Sequence, residues 1–178
     1  MYSYTKEEKL ISEAKHSIDF CISHQQIDGS WSYGTLSFHN WVDSFHTGYN
    51  LECISEYMKY SDDRSYDSFV EKGLAYYLRN FFTEDGMPKY FNQSLYPIDL
   101  HCPAQLVVTL SRLGLLKKHE IIVNKVLEWS INNMQDKRGF FYYQRGKYFT
   151  NKIAYIRWSQ AWMLFGLTTY LKNKNEES

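Results

Sequence analysis

Apolar residues fall at helical spacing in six separate stretches of this chain, and the stretches pair through long loops rich in glycine and aromatics. Leu10, Ala14, Ile18, Cys21 and Ile22 trace one face of a helix expected over about 6–24. Thr5-Lys6-Glu7-Glu8 has the form of a capping box ahead of it, with Thr5 placed to accept first-turn amides and Glu8 to reach back. The second stretch carries two stripes, Phe45, Tyr49, Cys53 and Tyr57 beside Leu51, Ile54 and Met58, so its helix should be packed on both sides as an inner element. Tyr66, Phe69, Val70, Gly73, Leu74, Tyr77, Leu78 and Phe81 make the clearest single stripe and predict a third helix. The fourth, on Leu106, Val107, Leu110 and Leu113, is opened by Pro97 and Pro103 and closed by Gly114, because proline lacks the N–H that a first turn leaves unpaired. Ile122, Val126, Trp129 and Asn133 predict a fifth helix over about 118–134. Trp158, Ala161, Trp162, Leu164, Phe165, Leu167 and Leu171 predict a sixth over about 155–172, ahead of a polar tail from Lys172 to Ser178.

Alternating apolar and polar residues occur only briefly inside the loops, so the expected fold class is all-α. The loop Gln26-Ile27-Asp28-Gly29-Ser30-Trp31-Ser32-Tyr33 is echoed by Glu84-Asp85-Gly86-Met87-Pro88-Lys89-Tyr90 and by Gln135-Asp136-Lys137-Arg138-Gly139-Phe140-Phe141-Tyr142. A helix, loop and helix thus recur roughly every 55 residues, as three tandem αα-hairpins over about 5–60, 61–114 and 118–172. Each such unit buries its apolar face only against its neighbours, so the three should curve into an arc, a partial α/α toroid forming one domain. In every hairpin the long loop joins the first helix to the second, which places all three loops on one rim.

Composition narrows the function. Twenty basic and twenty acidic side chains cancel, leaving no field to gather nucleic acid or an anionic membrane surface. Neither a signal peptide nor a membrane span is visible, and Cys21, Cys53 and Cys102 follow no metal or redox spacing, so a cytoplasmic protein with reduced thiols is expected. Aromatic residues make up 18% of the chain, and the flat apolar face and polar edge of tyrosine and tryptophan suit both sugar rings and helix packing.

Gln26-x-x-Gly29-x-Trp31 resembles the Q-x-x-G-x-W signature of the α/α toroids of the terpenoid cyclase and protein prenyltransferase class. The third copy, Gln135 to Gly139 and Phe141, departs by one inserted residue and by Phe for Trp; the second keeps Asp85-Gly86 and Tyr90. Longer strings, His24 to Gly34, Trp41 to Tyr49, Lys89-Tyr90, Tyr96 to His101 and Arg157-Trp158, resemble a bacterial family of such toroids often encoded among genes for capsule, lipopolysaccharide or exopolysaccharide synthesis. This sequence is similar to the C-terminal half of those proteins. The resemblance implies an arc with two uncovered ends, covered by a partner chain or repacked.

Asp43-Ser44-Phe45-His46 and Asp99-Leu100-His101 open the second and fourth helices, with Arg157 and Gln160 near the matching place in the third hairpin. Carboxylate and imidazole together exchange a proton near neutral pH, and arginine holds a carboxylate or phosphate bidentately, so Asp43, His46, Asp99, His101 and Arg157 are the candidate catalytic residues. Equally, an aspartate at a helix start is an ordinary cap, and a buried imidazole can simply donate to a loop carbonyl. Trp31, Tyr33, Trp41 and Tyr90, with Tyr142, Tyr143 and Trp158, would stack on sugar rings while Gln105 and Gln160 bond hydroxyls; the alternative is that Trp31 and its equivalents wedge between helices. Two histidines and two carboxylates suit zinc in type, but the adjacent His101 and Cys102 point about 100° apart on a helix, and neither metal nor cofactor is expected. Asp62-Asp63-x-x-x-Asp67 reads as an acidic turn before a helix. Three functions follow: a carbohydrate-binding or carbohydrate-modifying module of surface-polysaccharide metabolism; a non-catalytic module that dimerises through its end helices or completes a larger toroid; and an isoprenoid cyclase or transferase.

Overall fold

The structure, a computed structural model, describes residues 2–176. Its order is α1 (Tyr2–Thr5), α2 (Glu8–Ser23), α3 (Ser44–Ser61), α4 (Asp67–Phe81), β1 (Ile98–Asp99), α5 (His101–Arg112), α6 (Glu120–Met134), β2 (Gln144–Arg145), β3 (Thr150–Asn151), a π-helical turn (Ile156–Gln160) and α7 (Ala161–Glu176). Helices α3, α5 and α7 pack side by side as an inner row, with α2, α4 and α6 outside them. Two-sided packing explains why α5 is buried at every residue from His101 to Leu110. The main core joins Leu51 and Ile54 of α3, Tyr77 and Phe81 of α4, Leu106 and Leu110 of α5 and Val123 and Val126 of α6. A smaller cluster, Leu100, Ala104, Met134, Phe141 and Met163, holds the third hairpin.

The three loops share one backbone design. The N–H groups of Gln26, Thr83 and Asp136 donate to the carbonyls of Ser30, Met87 and Phe140, and those of Gly29, Gly86 and Gly139 donate back to Gln26, Thr83 and Asp136. Each glycine has φ between +88° and +96°, a region that a Cβ disfavours. This register corrects the motif alignment. Gln25 and Gln135 both donate to the carbonyl of their loop glycine, so Gln25, not Gln26, matches Gln135, and the third loop has no inserted residue.

Four expectations change locally. Thr5 ends α1 and accepts from the Glu7 N–H, while Glu7 takes the N-cap place of α2, so the capping box does not form. Pro97 precedes β1 rather than opening a helix. Three two-residue strands, none expected, make a small antiparallel sheet in the order β1-β2-β3, with Asp99 opposite Gln144 and Arg145 opposite Thr150. The last helix, finally, runs through most of the presumed polar tail to Glu176.

Candidate functional site

The rim expected to gather the loops is stitched by backbone pairing. Asp43 bridges to Phe91 of the second loop, as Asp99 pairs with Gln144 of the third, so the two aspartates are repeat equivalents. Two residues further on, Phe45 and His101 are therefore equivalent too, and their rings stack with centroids 4.5 Å apart. His46 has no histidine counterpart, because Cys102 holds its place.

Asp43 caps α3, its Oδ1 accepting the His46 N–H at 3.0 Å, and the same buried carboxylate receives His46 Nδ1 at 2.8 Å. His46 itself keeps 42% of its side chain exposed. With Nδ1 occupied by the aspartate, Nε2 is the nitrogen left to meet a ligand. Tyr33 stands edge-on to His46 at 5.0 Å and stacks on Trp41 at 4.5 Å; both aromatic rings are partly open to solvent. This is an aromatic platform beside a carboxylate-oriented imidazole.

Deeper in, His101 Nε2 lies 2.8 Å from the Tyr49 hydroxyl, while its ring is sandwiched between Phe45 and Trp162, the latter 3.9 Å away. His101 Nδ1 is buried without a partner. Burial, reinforced by the nearby His46, pushes the His101 pKa down to about 3, so the ring is neutral, and burial drives Tyr49 up to about 12. Asp99 accepts the His101 N–H at 2.9 Å, Trp158 Nε1 at 3.1 Å and Gln144 Nε2 at 3.2 Å. Its carboxyl is pushed up by burial, which outweighs these donors. Trp158, Tyr143 and Tyr155 line an open cavity of about 290 Å³ next to it.

Asp43, His46, Asp99, His101, Tyr33, Trp41, Trp158 and Tyr90, whose ring lies 5.2 Å from Phe45, thus form one continuous group with Tyr143 at its edge. Arg157 does not join it: the side chain is exposed and makes no ion pair among the described residues. Trp31 is buried, donates Nε1 to the Cys21 carbonyl and lies against Gly73, so it is a wedge between α2 and α4 rather than a sugar platform. Tyr142 bonds Asp136 on the loop. Gln160 spends its amide on the Phe141 backbone, and Gln105 spends its Nε2 on Glu52 and on Thr109 at 3.0 Å, so neither offers that amide to a ligand.

Sequence reasoning missed Tyr49, Trp162 and Gln144. Tyr49 could have been found one helical turn beyond His46, on the same face. Trp162 and Gln144 gave no signal, since they reach His101 and Asp99 only through tertiary packing. Among the described residues no group of three or more His, Cys, Asp or Glu could hold a metal ion. No helix among them is long and apolar enough to cross a membrane.

This architecture is that of an α/α toroid, of which the chain forms a helical-hairpin arc. No protein-family model matches the chain, and no curated protein matches its sequence. In three dimensions it is similar to the crystal structure of an unsaturated glucuronyl hydrolase specific for heparin, with a TM-score of 0.70 at 18% identity. That match covers 98% of this chain and 48% of the other, so the chain spans about half the length of its structural neighbour. At this identity the likeness shows the fold.

Proposed function

We propose that the rim around Trp41 and His46 binds a carbohydrate, and that the chain is a carbohydrate-binding or carbohydrate-modifying toroid module. The observation that carries the reading is the stacked Tyr33 and Trp41 pair standing beside an imidazole whose Nδ1 is held by a buried carboxylate. A flat aromatic pair takes the apolar face of a sugar ring, and His46 Nε2 is placed to exchange a proton with a hydroxyl or glycosidic oxygen. Asp43 positions that ring through its contact with Nδ1, as the carboxylate does in acid–base dyads. Asp99, surrounded by three donors, positions Trp158 and Gln144 rather than acting on the substrate. The heparin-specific hydrolase supports a sugar ligand by fold, and the resemblance to proteins of surface-polysaccharide gene clusters supports capsule or lipopolysaccharide oligosaccharides as the substrate class.

Intrinsic tryptophan fluorescence, titrated with glucuronate-containing and neutral oligosaccharides, tests the reading. Saturable quenching is expected from at least one class, with Trp41→Ala weakening it about tenfold, the loss of one stacking contact. His46→Ala is expected to leave binding within a few-fold while abolishing any turnover. Absence of binding by the parent, or Trp41→Ala binding as well as the parent, would overturn it.

The isoprenoid reading has less support, because it needs a deep apolar tunnel. Between the C-terminal halves of α3, α5 and α7 lies instead a basin of about 450 Å³ lined by Glu56, Lys59, Ser111, Arg112 and Lys172.

A further inference from the structure

Two of the three loop glycines are covered by the helix that follows. A Cβ built on Gly29 would stand 2.4 Å from the Lys72 carbonyl oxygen of α4, and one on Gly86 would stand 2.4 Å from the Lys125 carbonyl oxygen of α6. Lys72 and Lys125 are equivalent, each fourteen positions before its own loop's glycine. Each of these two loops is therefore a seat on which the next outer helix lays its backbone, with glycine required by the close approach. The first seat is fastened further: Gln25 Nε2 donates to the Gly29 carbonyl and also to the Phe69 carbonyl of α4 at 2.9 Å. Gly139 has the same φ and loop hydrogen bonds, yet a Cβ there would meet nothing within 4 Å among the described residues. Gln135 donates to the Gly139 carbonyl, with its other amide hydrogen unclaimed in the described structure.

We propose that the third loop is a docking seat for an amphipathic helix of a partner protein, laid across Gly139 as α4 lies across Gly29 and α6 across Gly86. The two filled seats specify the partner's chemistry: an apolar residue (Phe69, Ile122), a small or β-branched one four positions on (Gly73, Val126), and an aromatic three beyond that (Tyr76, Trp129). The outer face of α2 does not meet this specification. Its equivalent positions are Ser12, His16 and Asp19, all exposed, so a second copy docking head to tail would set polar groups on the seat. A polar outer face is what a terminal repeat carries. The inference is independent of the sugar-site reading.

The test uses the full chain and helix-stabilised synthetic peptides, because short free helices are marginal in water. A fluorescent α4 peptide covering residues 67–81 is expected to bind saturably, and an α2 peptide covering 8–23 is not. Gly139→Asn is the blocking variant: asparagine tolerates positive φ better than most residues, and its Cβ has free space until a helix docks. It should weaken the α4 peptide by about tenfold or more, with its thermal midpoint within a few degrees of the parent's. Equal binding by Gly139→Asn and parent, equal binding of the two peptides, or no binding of the α4 peptide would overturn the proposal. So would a head-to-tail dimer in light scattering that Gly139→Asn dissolves.

Discussion

His101 occupies the place that Phe45 holds one repeat earlier, and it behaves as an aromatic ring that happens to carry two nitrogens. Buried between Phe45 and Trp162, it titrates near 3, whereas in the unfolded chain a histidine takes up its proton near 6.5. Below about 6.5 the unfolded state binds a proton that the native state refuses, so this residue's contribution to stability falls as pH drops towards 3. Asp99, raised by burial, acts in the opposite sense, and only a variant separates the two. His101→Phe keeps the stack and removes the titration. Its thermal midpoint should fall less than the parent's between about pH 7 and pH 4, and parallel curves would disprove this account. The loop glycines give a second residue-level comparison. Gly139→Ala bears only the positive-φ cost, about 1–2 kcal/mol, while Gly29→Ala adds a collision with the Lys72 carbonyl and should lose several kcal/mol in denaturant titration. Similar losses at the two sites would contradict the packing described. The glycines themselves were legible in the sequence because positive φ leaves a local signature. The pairing of Gln25 rather than Gln26 with Gln135 was not, since both glutamines fit the motif and only the hydrogen bonds choose between them.

Helices of the inner row touch through small residues. Gly48 of α3 faces Gln105 and Thr109 of α5, and Gly166 of α7 lies so near α5 that an added Cβ would stand 2.9 Å from the Ala104 Cα. Gly166→Leu must therefore push α7 off α5, and overpacking of this kind costs about 1–3 kcal/mol. At about 2–4 °C per kcal/mol for a chain of this size, the midpoint should fall by several degrees. Because α7 also carries Trp162 against His101, the same variant should change the near-ultraviolet circular dichroism of the aromatic group. An unchanged midpoint would mean that the two helices are not in such contact. Helix existence and order were readable from the 3.6-residue period, and so was the inner character of the second helix. What lay outside that period was not: the two-residue strands have no length over which to alternate, and the π-helical turn before α7 reflects how its residues pack, with Gln160 bonding loop three. The polar residues after Leu171 hid the true helix end, because α7 there is fastened through Asn173 to Ser111 and through Lys174 to Glu120.

At the scale of the molecule, an arc of hairpins has a middle and two ends, and the burial pattern grades accordingly. Helix α5 has α3 and α7 on its flanks and α6 outside, and is buried from His101 to Leu110. Helix α2 buries fully only Ile18 and presents Ser12, Lys15, His16 and Asp19 to solvent. In a repeat structure stability is close to a sum of unit and neighbour terms, so a unit with one neighbour opens before a unit with two. Native-state hydrogen exchange should find the amides of α5 protected to near the global unfolding free energy, with α2 exchanging through a lower-energy opening that leaves α5 closed. A tether tempers the prediction at one point: Lys15 and Asp19 bond each other and both reach Tyr66, which fastens the middle of α2 to the turn before α4. Asp19→Ala should therefore lower the opening energy of α2 selectively and only slightly, as befits an exposed pair, without moving α5. Uniform protection across α2 and α5, or a loss that spreads equally to both, would show a single cooperative unit in place of a graded arc.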